Sequence, residues 1–371
     1  MLWLTGLFAL VLLAPELPGT AVEAGTGATP QSAPASADVC NIETADRVVA
    51  IGDVHGAYAS FVDILRRAGV IGRDSRWSGG RTTLVQTGDV LHRGPDSRKV
   101  LDLLMQLEPQ AAAAGGRVIA LLGNHEVMRM MRDLRYVSAA EYAAFRSPGS
   151  EAYREIFWGR LLDQAPAQAV ASGKPFDERE LRKQFLAQVP LGYVEMQIAF
   201  EPEGPYGRWL RTHAAVARIN GVVFVHGGVN PGLASKGCEG INAGVRDELA
   251  DLPGPNDPRA ADTLVAGTNG PLWYRDLALD DTLIDEEDVE QILERLDARA
   301  IVVGHTPTEN GRMRARFGNR VIQIDTGMLN GTFYPGGRPS ALEMRGDTLT
   351  AIYADRRDAL ATLLPMPAVA R

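Results

Sequence analysis

Short apolar runs, each ended by a glycine and a polar or ionisable residue, recur along the chain. Val48-Val49-Ala50-Ile51 leads into Gly52-Asp53, and Thr83-Leu84-Val85-Gln86 into Thr87-Gly88-Asp89. Val118 to Leu122 leads into Gly123-Asn124-His125-Glu126, and Val222 to Val225 into His226-Gly227-Gly228. Ile301-Val302-Val303 precedes Gly304-His305, and Val321 to Ile324 precedes Asp325-Thr326-Gly327. Aliphatic runs this short, bounded by glycine, predict buried strands. Between them, Phe61, Ile64, Leu65 and Ala68 recur at helical spacing. So do Val100, Leu103, Leu104 and Leu107, with Ser97 placed as an N-cap, and Val289, Ile292, Leu293 and Leu296. Strand and helix in alternation predict an α/β layered domain. Each chemically suggestive polar residue stands at the carboxyl end of a predicted strand, where ligands collect in such sheets.

Two stretches break this rhythm. Val127 to Pro190 is helix-rich and carries Tyr142, Phe145, Tyr153, Phe157 and Trp158. It reads as a helical insertion over about residues 127–190, either with a small core of its own or as a cap that shapes substrate entry. Tyr193 to Ile219, where Val194, Met196 and Ile198 alternate, reads as further strands. A long connection from Asn230 to Ala300 contains Gly270-Pro271-Leu272-Trp273-Tyr274-Arg275.

The 371 residues, 45% hydrophobic and 23% charged, exclude a disordered chain, a collagen repeat and a coiled coil. A net charge of −8 argues against a general binder of nucleic acid or anionic membranes. Leu2 to Ala14 is uncharged but shorter than the ~20 apolar residues of a membrane span. With Pro15 and the small residues of Val22-Glu23-Ala24 behind it, the segment reads as a signal peptide over residues 1–24. Gly, Ala, Ser, Thr and Pro then dominate a flexible linker over 25–44, before a main domain at 45–355 and a tail at 356–371. Export would place the mature protein in the periplasm or outside the cell, where Cys40 and Cys238, the only cysteines, are either bridged or both free.

Of the six histidines, only His213 falls outside the motifs. Asp53 and His55 share one side of an extended strand end. Asp89 adds a carboxylate, Asn124 an amide oxygen, and His226 and His305 two imidazoles. Such a donor set suits a borderline divalent ion such as Mn, Fe or Zn. Six ligands are too many for one tetrahedral site, but suit two ions that share a bridging carboxylate. Two divalent ions against two aspartates and one hydroxide leave a net positive charge for a phosphate oxyanion.

Gly52-Asp53-Val54-His55-Gly56, Gly88-Asp89-Val90-Leu91-His92-Arg93-Gly94 and Gly123-Asn124-His125-Glu126 occur in this order, followed by His226-Gly227-Gly228 and Gly304-His305. The set resembles the calcineurin-like metallophosphoesterase superfamily, in particular its phosphoprotein phosphatase branch. Gly270 to Arg275 and Asp325-Thr326-Gly327 make it most similar there to the bacterial Shewanella-like phosphatases. The resemblance, from Arg47 to Leu349, implies an α/β (α+β four-layer) fold, a two-sheet β-sandwich flanked by helices. It implies that Asp53, His55 and Asp89 hold one metal, and Asp89, Asn124, His226 and His305 a second. It also implies in-line attack on phosphorus by a metal-bridging hydroxide. His125 would protonate the leaving oxygen, and Arg93 and Arg275 would clamp the phosphoryl oxygens.

One residue departs from the family. An Asp normally precedes the motif's Arg and pairs with the histidine corresponding to His125; here it is His92. His92 would then accept a hydrogen bond from His125 as a neutral orienting group, unless Glu126, Asp96 or Asp325 supplies a carboxylate instead. Asp325 could also sit behind the metals or simply form a turn. The leading expectation is an exported phosphomonoesterase, acting on phosphorylated proteins or small phosphate esters. Neither nucleic acid nor lasting membrane association after signal cleavage is expected. A nucleotide or diadenosine-polyphosphate hydrolase is the rival enzyme, and a metal-binding pseudoenzyme the rival from another class.

Overall fold

The computed structural model describes residues 39–366 other than 172, 174, 280–282 and 332. The expected signal peptide and most of the linker lie outside the described residues. Chain contacts divide the protein into two compact units, one containing Tyr142–Ile198 and the other Ser36–Glu141 with Ala199–Arg371.

In the larger unit the predicted strands form where the aliphatic runs are. The strands are β1 (Val48–Ile51), β2 (Thr83–Gln86), β3 (Arg117–Ala120), β4 (Val216–Ile219), β5 (Val222–Val225), β6 (Ala300–Val303), β7 (Arg314–Arg316), β8 (Val321–Gln323), β9 (Ser340–Arg345), β10 (Thr348–Tyr353) and β11 (Arg357–Thr362). One sheet has the order β11-β10-β9-β1-β2-β3, the other β4-β5-β6-β8-β7. β1, β2 and β3 run parallel, as do β5, β6 and β8. Their carboxyl ends carry the motifs. The two sheets share one core: Val48, Ala50 and Val85 of the first pack with Val222, Phe224, Val302 and Ile322 of the second. This is the expected two-sheet sandwich, its strands alternating one residue into the shared core and the next toward the helices.

The helices are α1 (Tyr58–Arg67), α2 (Ser97–Ala113), α3 (Asn124–Met130), α4 (Ala139–Ala144), α5 (Ser150–Ala171), α6 (Glu178–Gln188), α7 (Tyr193–Phe200), α8 (Pro205–Leu210), α9 (Pro231–Ala234), α10 (Gly237–Ala250) and α11 (Glu286–Arg295). α1 buries Phe61, Ile64 and Leu65, and α11 buries Val289, Ile292 and Leu293, on the stripes their spacing predicts. Within Tyr142–Ile198, Phe157 lies 5.9 Å from Phe185 and 6.0 Å from Tyr193 by ring centroid, and Trp158 5.2 Å from Phe185, forming a small aromatic core. No helix among the described residues is long and apolar enough to cross a membrane.

Four expectations need correction. Tyr193–Phe200 is a helix, not a strand, because three alternating residues are too few to set a period and Glu195, Met196, Gln197 and Ala199 favour helix. Ser97 does not cap α2. Asp96 is the N-cap residue, and the Ser97 hydroxyl accepts a hydrogen bond from the His92 amide at 3.1 Å. Arg357–Thr362, expected as tail, pairs with β10 as an edge strand. The linker ends before residue 44: Ile42 bridges to Ile219, and Cys40 forms a disulfide with Cys238 across a sequence separation of 198.

Candidate metal centre

The strand-end loops meet at backbone contact. A Cβ on Gly88 would lie 2.4 Å from the Gly123 amide nitrogen, and one on Gly123 would lie 2.3 Å from that of Asp89. Only glycine lets the two loops approach so closely. His55, Asp89, His92, Arg93 and His305 all have positive φ, at 47°, 56°, 69°, 68° and 64°. Non-glycine residues hold this conformation at a cost of about 1–3 kcal/mol each, and such residues gather at functional sites.

What over-determines the Asp89 loop is Glu126. Its carboxylate accepts four backbone N–H bonds: from Asp89 at 2.7 Å, Val90 at 3.0 Å, Leu91 at 3.2 Å and Gly123 at 2.8 Å. Glu126 is therefore occupied as an anchor, and the side chain that meets His125 is His92, with Nδ1 to Nδ1 at 2.9 Å. Asp96 instead pairs with Lys99 at 2.7 Å.

Two of the buried site histidines are each aimed by one ring nitrogen. His55 Nδ1 lies 3.0 Å from the Leu91 carbonyl and His226 Nδ1 2.9 Å from the Thr87 carbonyl, so each donates there and turns Nε2 inward. His226 Nε2 then faces Asn124 Oδ1 at 2.9 Å, His305 Nδ1 at 3.0 Å and Asp89 Oδ1 at 3.3 Å. His55 Nε2 faces the Oδ2 atoms of Asp89 at 3.7 Å and Asp53 at 3.8 Å. Asp53 Oδ1 accepts the His305 amide at 2.9 Å. Two groups of donor atoms result, His55–Asp89–His125 and Asp89–His226–His305, each within 4.8 Å. Asp89 belongs to both.

The electrostatics call for a cation. Burial and then the neighbouring Asp325 push the Asp53 carboxyl well above its usual range, and burial pushes Glu126 to about 7 and Asp325 to about 6. Burial alone would hold His226 neutral, yet Asp89 and Asp53 drive it to about 9. Burial holds His55 down at about 4, so its Nε2 carries a lone pair. His305 Nε2 and Asp325 Oδ2 are buried without a hydrogen-bond partner among the described residues. Carboxylate, amide oxygen and imidazole converging in this way fit a divalent ion, which would take the place of the His226 proton.

Arg93 reaches the same place. Its guanidinium donates to Nε2 of His55 at 3.2 Å and approaches Nε2 of His125 at 3.4 Å. Tyr136 and Tyr334 flank it, their ring centroids 5.3 and 5.4 Å from its central carbon. Arg275 is held on the His305 loop, donating to the His305 carbonyl at 2.9 Å and the Thr306 hydroxyl at 3.0 Å. His213 lies elsewhere, against Trp209. The two tyrosines and the anchoring role of Glu126 were not foreseen. Glu126 had a signal, its place in Gly-Asn-His-Glu; the tyrosines had none, since Tyr136 lies in the helix-rich stretch, where aromatic residues read as core, and Tyr334 lies between β8 and β9, outside every predicted element.

Comparison with known proteins agrees with this geometry. The family described as calcineurin-like phosphoesterase matches residues 46–309. The chain is 30% identical to Shewanella-like protein phosphatase 2 of Arabidopsis thaliana over 320 residues, covering 82% of this chain and 77% of that one. It is 25% identical to Shewanella-like protein phosphatase 1 of Plasmodium berghei over 316 residues, covering 84% and 75%. Among solved structures, the cold-active protein-tyrosine phosphatase of a psychrophilic Shewanella species aligns with a TM-score of 0.63 and 26% identity, covering 86% of this chain and 82% of that chain. With its donor cluster at the strand ends of a two-sheet sandwich, the chain belongs to the calcineurin-like phosphoesterase family and is a metal-dependent hydrolase of phosphoric esters.

Proposed function

We propose that this enzyme is an exported protein phosphatase working with two divalent ions. The observation that carries the two-ion reading is the Asp89 carboxylate, which turns Oδ1 toward His226 and Oδ2 toward His55, as a bridging ligand does. Asp53, His55 and Asp89 would hold one ion, and Asp89, Asn124, His226 and His305 the other. The bound ions would supply a water activated for attack and positive charge for the phosphoryl group.

The chain's own residues do the rest. Arg93 offers a planar fork to two phosphoryl oxygens, and the flanking tyrosines hold that fork in the mouth of the site. Arg275 adds positive charge from the His305 side. His92, kept neutral by burial at about 3, accepts the Nδ1 proton of His125 and fixes its ring with Nε2 facing inward. To give a proton from Nε2 to the leaving oxygen, His125 must then be the imidazolium, the form that burial disfavours and the Asp89 carboxylate favours. The names of the related phosphatases support a phosphoprotein substrate, and the similarity to a Shewanella protein-tyrosine phosphatase supports phosphotyrosine among the targets. The Cys40–Cys238 disulfide supports an oxidising compartment, hence the periplasm or the exterior.

Turnover of phosphotyrosine, phosphoserine and phosphothreonine peptides beside diadenosine tetraphosphate tests this reading, with metal content measured after loading with Mn. We expect two ions per chain, phosphopeptide hydrolysis, and loss of at least about 100-fold in kcat for Asp89→Asn, in keeping with the loss of a ligand shared by both ions. Preference for the dinucleotide would make this a nucleotide hydrolase. Two bound ions with no turnover of any ester would make it a binding protein.

A further inference from the structure

We propose that Glu141 is a positioning residue for phosphate capture, acting through the turn formed by His92 and Arg93. The proposal rests on the reading of Arg93 as the phosphate fork. The turn is two consecutive left-handed residues without a glycine, and Arg93 is the one whose side chain must point at the substrate. Such a pair persists only where its surroundings leave it no alternative.

Those surroundings come from the segment after α3. The His92 amide donates to Glu141 Oε1 at 3.0 Å, beside its contact with Ser97 Oγ. The Arg93 amide donates to the Tyr136 carbonyl at 2.8 Å. Glu141 Oε2 accepts the Ser138 amide at 2.9 Å, and the Ser138 hydroxyl donates to the Gly94 carbonyl at 3.2 Å. Glu141 is 4% exposed, so its carboxylate is not there for solubility. It ties both strands of this cradle, one oxygen to each. Burial raises the Glu141 carboxyl above its usual range, against the hydrogen bonds of Ser97, Ser138 and His92 and, after them, the charge of the buried Arg129. If the carboxylate is lost, the His92 amide keeps only Ser97, and the turn can relax toward negative φ, swinging the Arg93 fork away.

Glu141→Gln keeps the size but offers one acceptor where two amides need one each. In the metal-loaded full-length enzyme we expect a rise of about tenfold in KM for a small aryl phosphate. A similar rise is expected in the Kd of inorganic phosphate by calorimetry, as for one lost hydrogen bond to a charged group. In an Arg93→Ala background the same substitution should leave phosphate affinity unchanged, because residues acting as one unit are not additive. An undiminished tenfold effect in that background, or unchanged phosphate affinity in Glu141→Gln alone, overturns the proposal. Unchanged phosphate affinity in Arg93→Ala overturns the reading of Arg93 and this proposal with it. Should Glu141→Gln fail to fold, Ser138→Ala replaces it. A rise of about threefold that vanishes with Arg93→Ala supports the cradle, and additivity there overturns it.

Discussion

His213 illustrates how a histidine outside the site is recognised by what it lacks. Its ring packs edge-on against Trp209 at 4.2 Å, neither ring nitrogen has a hydrogen-bond partner among the described residues, and burial lowers its pKa to about 3. The unfolded chain binds a proton there near pH 6.5 and the folded chain does not. Its share of stability is therefore complete above that pH and is lost as pH falls toward 3, by about 1.4 kcal/mol per unit. Urea unfolding at pH 7.5 and 5.0 should show the His213→Leu variant losing about 2 kcal/mol less than the parent between the two. At His92 the charge argument runs through activity. A carboxylate there would stabilise the His125 imidazolium, so His92→Asp should move the basic limb of the pH–rate profile upward. Superimposable limbs would show that His92 does not govern the acid. The motif residues themselves were legible because each carries chemistry that a core position does not tolerate. The reason that His92 meets His125 is three-dimensional.

Among elements, the strand-end loops are where structure adds most to pattern. The aliphatic runs predicted β1, β2, β5 and β6 within a residue or two, since a short run of mostly β-branched or aliphatic residues closed by a glycine within two positions leaves little choice of structure. The error at α7 arose where that signal was shortest. What the runs do not reveal is how neighbouring loops are tied, and here that is Glu126. Glu126→Ala would leave four buried amides without an acceptor, so a loss of about 3–5 kcal/mol is expected in denaturant unfolding. Metal affinity should fall with it, because Asp89 is one of the residues released. A variant with full stability would show that the loops hold their shape through Gly88 and Gly123 alone.

Across the whole molecule, the disulfide makes the start of the described chain part of the catalytic unit. Cys40 and Cys238 close 198 residues of sequence, and Arg218 holds the same segment by donating to the Cys40 carbonyl at 2.8 Å. Replacing both cysteines with alanine should cost about 3–5 kcal/mol, read as a lower urea midpoint. The loss should be equalled by reducing the parent with a reductant that does not bind metal. Loss of activity before loss of stability would instead tie the bridge to the site.

The sequence by itself determined the family, the layered α/β architecture and the identities of the metal-site candidates. Strand periodicity and ionisable groups at strand ends are local properties, written in neighbouring residues. Only the tertiary structure decided which of those groups face one another: that Asp89 turns one oxygen to each histidine group, that Glu126 anchors rather than pairs with His125, and that Tyr136 and Tyr334 flank Arg93 while Glu141 holds the amide of His92. These are contacts between residues far apart in sequence, made through strained backbone and buried charge. Their energies exist only once water has been excluded and the loops have met.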